Sequence, residues 1–100
     1  MEFIEPIKNT FTIYSKSGCK NCTKVKQFLQ ENKIHYKVVD CDEYIIEDKE
    51  TFLLFIKDVA QKEYNTFPMV FNDTKFIGGY NETVEYVKKI LSFDDNFDDI

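Results

Sequence analysis

Thr10-Phe11-Thr12-Ile13-Tyr14-Ser15-Lys16-Ser17-Gly18-Cys19-Lys20-Asn21-Cys22 joins a β-type run to an amphipathic segment that continues to Glu31. Four residues separate Tyr14 from Cys19, so the C-x-x-C motif falls between a strand and a helix. Its first sulfur then lies at a helix N-terminus, where unpaired N–H groups and the positive end of the dipole favour an anion. The anion here is a thiolate, the form of cysteine that attacks disulfides. A free thiol has a pKa of ~8.5, whereas thiols in such motifs fall to roughly 3.5–7.5. Lys16, Lys20 and Lys24 crowd the same end and act in the same direction. The motif points to thiol–disulfide exchange.

Outward from this segment, helical and extended patterns alternate. The first helix is expected from about Lys20 to Glu31, with Cys22, Val25, Phe28 and Leu29 on one face and Asn32 as its stop. A second strand follows over Ile34–Val39. Asp40–Asp48 reads as an acidic connection. Phe52, Phe55, Ile56, Val59 and Ala60 then recur at helical spacing, with Leu53 and Leu54 widening the apolar face. Pro68 introduces Met69-Val70-Phe71, a turn at Asn72-Asp73, and Lys75-Phe76-Ile77, a hairpin. Gly78-Gly79 leads into a last helix carrying Val84, Val87, Ile90 and Leu91. The order β-α-β-α-β-β-α predicts an α/β fold. Its first two strands form a right-handed parallel unit and the hairpin continues the sheet antiparallel. The result is a four-stranded mixed sheet with three helices, a thioredoxin-like arrangement.

The 100 residues suffice for one domain with its own core, which ten Phe and six Tyr supply in large part. Three cysteines are too few for a secreted disulfide framework. Glu2 and Glu5 interrupt the N-terminal stretch where an export signal would lie. No run reaches the ~20 apolar residues of a membrane span. A reducing, cytoplasmic setting is the expectation. The net charge is −5 and all 13 basic residues are Lys, which argues against nucleic acid because no Arg fork is present to grip bases or phosphates. Asp94, Asp95, Asp98 and Asp99 crowd the last seven residues, and without these four charges the remainder carries −1. Residues 1–92 are therefore read as the domain and 93–100 as a solvated acidic tail.

Cys22, His35 and Cys41 fall close to zinc-finger spacing, but a strand between the last two would hold them ~20 Å apart at 3.3 Å per residue. Zinc ligands must converge within ~2.0–2.3 Å of one ion, so no metal site is expected. His35 reads as a half-exposed strand residue and Cys41 as a small packed hydrophobe. A less favoured reading of Cys41 is a peripheral thiol open to glutathionylation.

Three motifs together resemble the glutaredoxin family, over Thr10 to Leu91. Thr12-Ile-Tyr-Ser-Lys-Ser-Gly-Cys-Lys-Asn-Cys22 is similar to its strand, lysine and active-site segment. Thr66-Phe67-Pro68 resembles its Thr-Val-Pro element, and Ile77-Gly-Gly-Tyr-Asn-Glu82 its Gly-Gly turn with a polar pair. The resemblance implies Cys19 and Cys22 as catalytic residues and glutathione as co-substrate. It places Lys16 toward the tripeptide's glycine carboxylate, the Phe67 backbone beside its cysteine, and Asn81 and Glu82 at its glutamyl end. Asn21, Thr66, Pro68, Gly79 and Tyr80 complete the implied binding set. A cis peptide before Pro68 would cost only ~0.5–1 kcal/mol and turn backbone polar groups toward that cysteine. Gly78 and Gly79 permit close approach, and the helix start near Asn81 offers N–H groups to a carboxylate.

Lys20 and Asn21 replace the Pro and Tyr of the family's commonest motif. The first loses a rigid helical start, the second an aromatic wall, and the Lys20 charge should make the disulfide form more oxidising. Implied partners are disulfide-containing or glutathionylated proteins, ribonucleotide reductase among the family-level candidates, met by a monomer. Two alternatives stand beside this reading. One is a carrier of a [2Fe-2S] cluster bridged by Cys19 and glutathione of two chains. The other is a redoxin fed by thioredoxin reductase.

Overall fold

A computed structural model of the chain describes residues 2–98. Its elements are β1 (Phe11–Ser15), α1 (Lys20–Glu31), β2 (Tyr36–Asp40), α2 (Asp42–Ala60), β3 (Met69–Asn72), β4 (Lys75–Gly78) and α3 (Tyr80–Asp98). The sheet order is β2-β1-β3-β4. Strand β1 pairs with β2 in parallel and with β3 antiparallel, and β3 with β4 antiparallel. This is the expected mixed sheet of the thioredoxin fold. Its directions gather the C-terminal ends of β1, β2 and β4 and the N-terminal end of β3 at one rim. Lys16–Cys19, Asp42, Phe67–Pro68 and Gly78–Gly79 all lie there.

Alternation of side chains along the central strands separates two cores. Phe11 and Ile13 of β1 and Val70 of β3 pack with Val25, Leu29 and Val87 of α1 and α3. Tyr14, Met69 and Phe71 face the other way, onto Phe52, Ile56 and Ala60 of α2. With helices on both faces, every residue of β1 is buried.

Helix α1 has the expected bounds and ends at Asn32, whose side-chain amide donates to the Phe28 carbonyl at 2.8 Å. Helix α2 begins earlier than its apolar pattern suggests. Asp42 and Glu43 occupy its first turn, where the dipole favours acids. The helix is then broken at Asp48, which has φ −160° and ψ 75°. The Asp48 carboxylate accepts the Thr51 N–H at 3.2 Å and the Thr51 hydroxyl at 2.7 Å, capping a fresh helical segment. The stretch expected as a connection is thus mostly a short helix joined to the main one at a capping aspartate.

Some apolar positions face water instead of the core. Leu54 is 65% exposed, because α2 presents only a narrow stripe to the sheet and Leu54 lies beyond its edge. Ile90 and Leu91 are also exposed. Nineteen helical residues span ~28 Å at 1.5 Å each, whereas a five-residue strand covers ~17 Å, so α3 outruns the sheet it packs on. Its backbone stays helical to Asp98, inside the segment read as an acidic tail. Asp99 and Ile100 of that tail lie outside the described residues. Among the described residues, no helix is long and apolar enough to cross a membrane.

Candidate active site

Strand β1 ends at Ser15, and Lys16-Ser17-Gly18 carries the chain to the start of α1. Gly18 has φ +73°, a left-handed conformation that glycine adopts without a Cβ clash. Cys19 follows as the N-cap of α1, with extended dihedrals, and its Sγ accepts the Cys22 N–H at 3.2 Å. The sulfur thus occupies the place that a serine or aspartate oxygen takes in an ordinary cap. No acid stands in the first turn to oppose a negative charge there.

Cys19 and Cys22 are joined as a disulfide, with their Cα atoms 5.2 Å apart. Cys19 is half-buried and Cys22 is only 1% exposed. An incoming sulfur or thiol therefore reaches Cys19 and finds Cys22 shielded behind it.

The rim brings several expected residues together. The Lys16 ammonium lies 5.6 Å from the centre of the Phe67 ring, which also stacks parallel on Phe52 at 6.2 Å. The Phe67–Pro68 peptide is cis and Pro68 is buried. Lys24 reaches to 5.9 Å from the Tyr80 ring centre. Thr66, Asn21 and Asn81 are exposed on the same rim. Gly79 lies close to the Pro68 segment: a Cβ built on it would stand 3.6 Å from the Pro68 carbonyl oxygen.

Glu82 also caps a helix. Its Oε1 accepts the Gly79 N–H at 2.7 Å, the reciprocal half of a capping box at the start of α3. Thr83 closes the same turn by donating its hydroxyl to the Gly79 carbonyl at 2.8 Å. The carboxylate thus holds a helix terminus in this structure. Asn81 and the remaining N–H groups of the first turn are left for a ligand.

Two rim residues were not singled out in the sequence. Asp42 accepts the Ser17 N–H at 2.8 Å and the Ser17 hydroxyl, tying the loop before Cys19 to the start of α2. These hydrogen bonds, with help from the Lys16 charge, hold the Asp42 carboxyl below the usual carboxylate range. Its signal was positional: parallel neighbours β1 and β2 end side by side, and Asp42 is the first acid past β2. Tyr64 is the second. Its hydroxyl lies 2.9 Å from the point a Gly79 Cβ would occupy, and its ring meets Phe76 edge-on at 4.8 Å.

Cys41 is fully buried against the α2-side core, and its thiol is pushed up to about 12, chiefly by burial. It packs as a hydrophobe. His35 is exposed on the approach to β2. Among the described residues, no group of three or more His, Cys, Asp or Glu side chains could hold a metal ion.

Comparison with known proteins agrees with this geometry. The family model described as Glutaredoxin matches residues 11–77. Glutaredoxin 1 of Rickettsia felis is 30% identical over 83 residues, covering 83% of this chain and 76% of that protein. Glutaredoxin 1 of Francisella tularensis, solved with cacodylate, superposes with a TM-score of 0.71 at 28% identity, over 82% of this chain and 95% of that one. A buckwheat glutaredoxin solved with glutathione shares the fold, with a TM-score of 0.66 at 23% identity, over 81% of this chain and 70% of that one. One continuous match takes in the Cys19–Cys22 motif, the Pro68 segment, the first three strands and all of β4 but its last residue, and the chain belongs to the glutaredoxin family.

Proposed function

We propose that the protein is a glutathione-dependent thiol–disulfide oxidoreductase that reduces protein disulfides and glutathionylated proteins. The observation that carries the reading is the asymmetry of the dithiol: Cys19 accessible at the N-terminus of α1, Cys22 buried behind it. In the reduced enzyme the Cys19 thiolate attacks a substrate disulfide, forming a mixed disulfide and releasing one substrate thiolate, which takes up a proton. Cys22, deprotonated, then attacks the Cys19 sulfur. The second substrate thiol leaves and the Cys19–Cys22 disulfide forms. Two glutathione molecules reduce it, ending as glutathione disulfide. The position of Cys19 at the N-terminus of α1 serves both halves, favouring its thiolate as nucleophile and as leaving group.

Family membership supports glutathione as the partner, as does a rim with a free cation at Lys16 and open N–H groups at α3. The reading places the enzyme in a reducing, cytoplasmic compartment as a monomer. A coupled assay tests it. Turnover with glutathione and glutathione reductase, and none with thioredoxin reductase alone, is the expected result; the reverse would favour the redoxin alternative. An absorbance spectrum of freshly purified protein tests the cluster-carrier alternative, which requires a brown dimer in place of a colourless monomer.

A further inference from the structure

Residues 16–26 carry four lysines and no acid. That is a charge of +4 in a chain of −5, so the rest of the molecule carries −9. Lys16, Lys20 and Lys26 line a shallow recess with Cys19, while Lys24 lies toward Tyr80. Among the described residues, none of the four forms an ion pair; the pair present is Lys57–Glu63, on α2 and the segment after it. Asp42 feels the Lys16 charge, but its carboxylate oxygens are taken by Ser17. Unpaired lysines therefore flank the reactive sulfur, on a molecule that is otherwise acidic.

We propose that this face selects protein substrates whose disulfide lies in an acid-rich segment. Exposed lysine–carboxylate pairs contribute little each, about 0–1 kcal/mol, so the selection falls mainly on encounter rate. A one-signed patch around a reactive centre raises association by roughly 10- to 1,000-fold, and salt screens the effect over a Debye length of ~10 Å at 0.1 M. The net −9 of the remaining sequence acts in the same direction, opposing an acidic partner's approach to the rest of the molecule taken as a whole. The selection rests on dithiol exchange at Cys19 and Cys22, not on glutathione. The Cys19 thiolate opens the partner's disulfide, one partner sulfur leaves as a thiolate and is protonated, and Cys22 expels the other. Two electrons pass from the enzyme dithiol to the partner.

The test uses pre-reduced full-length protein without glutathione, so that failure of the glutathione reading does not affect it. Two synthetic peptides share one intramolecular disulfide and differ only in four flanking residues, Asp and Glu in one, Lys in the other. Acid quenching and mass analysis give the second-order rate of peptide reduction. At low ionic strength the acidic peptide should react at least ~10-fold faster, with the ratio collapsing toward one near 0.5 M salt. In the double variant Lys24→Glu/Lys26→Glu the ratio should fall at least threefold. Taking a ratio cancels any change in the reactivity of Cys19 itself. Equal rates for the two peptides at low salt, a preference that salt does not weaken, or a variant with the wild-type ratio would each overturn the proposal.

Discussion

At the scale of single residues, three thiols of one composition have been given three chemistries by their surroundings. Cys19 is at a helix terminus with cations nearby, Cys22 is buried one turn inside, and Cys41 is sealed in the core. With the Cys41 thiol pushed up to about 12, almost none of it is thiolate at neutral pH. In the reduced native protein, iodoacetamide should therefore leave Cys41 unlabelled, and Cys41→Ser should keep turnover within a factor of about two. Rapid Cys41 alkylation, detected by mass mapping, would contradict that placement. The same shift gives a pH signature. A folded-state pKa above the ordinary value of 9.0 favours the folded protein fully below that value, and the contribution is lost as pH rises from there toward about 12. Denaturant titrations should show this alkaline loss in wild type and a shallower one in Cys41→Ala. Lys16→Ala removes the cation above Phe67. It should raise KM for glutathionylated substrate and raise the measured Cys19 pKa, and unchanged values of both would dismiss Lys16 from the site.

At the scale of elements, helix α1 was readable because its pattern and its stop residue agree. The start of α2 was not, since its first turn is stabilised by the dipole and by acids rather than by an apolar stripe. Nor was the Glu82 cap, because a carboxylate after Gly-Gly suits a ligand or a helix terminus equally well in sequence; the 2.7 Å contact with the Gly79 N–H shows the capping role. Glu82→Ala should lower stability by about 0.3–1.5 kcal/mol in chemical denaturation. Gly78→Ala should be worse than that, since φ is +136° and the new Cβ would fall 2.8 Å from the Glu82 side chain. The Asp42–Ser17 tie links two elements and is pH-dependent in the acid direction. Because the folded Asp42 pKa is depressed, the tie is fully present above the ordinary carboxylate value and is lost as pH falls through the depressed one. Amide exchange at Ser17, compared between wild type and Asp42→Ala, measures it. Protection at Ser17 that is the same in both proteins would show that the loop is held by something else.

At the scale of the whole molecule, the sheet was legible because four short strands, one crossover helix and one hairpin leave few ways to pair. The N-terminal segment was not, since Phe3 and Ile4 carry no periodicity. In the folded chain Phe3 packs edge-on against Tyr44 at 4.9 Å and Phe52 at 5.5 Å. The Tyr14 hydroxyl donates to the Ile4 carbonyl, and the Ile4 N–H donates to the Tyr44 hydroxyl oxygen at 3.2 Å. The contacts with Tyr44 and Phe52 depend on tertiary neighbours 40 and more residues away in sequence. The candidate site was legible to a similar degree. The motifs named the rim residues, while Asp42 and Tyr64 emerged only when topology brought distant segments to one edge.

The division of labour between the two sulfurs is the centre of this account, and Cys22→Ser tests it most directly. Reducing a protein disulfide needs the resolving thiol, whereas removing glutathione from a protein needs only Cys19 and a second glutathione. The variant should keep much of its deglutathionylation rate, lose most protein-disulfide reduction, and hold one glutathione per chain by mass spectrometry. Loss of both activities together, with no trapped adduct, would contradict it and remove glutathione as the partner.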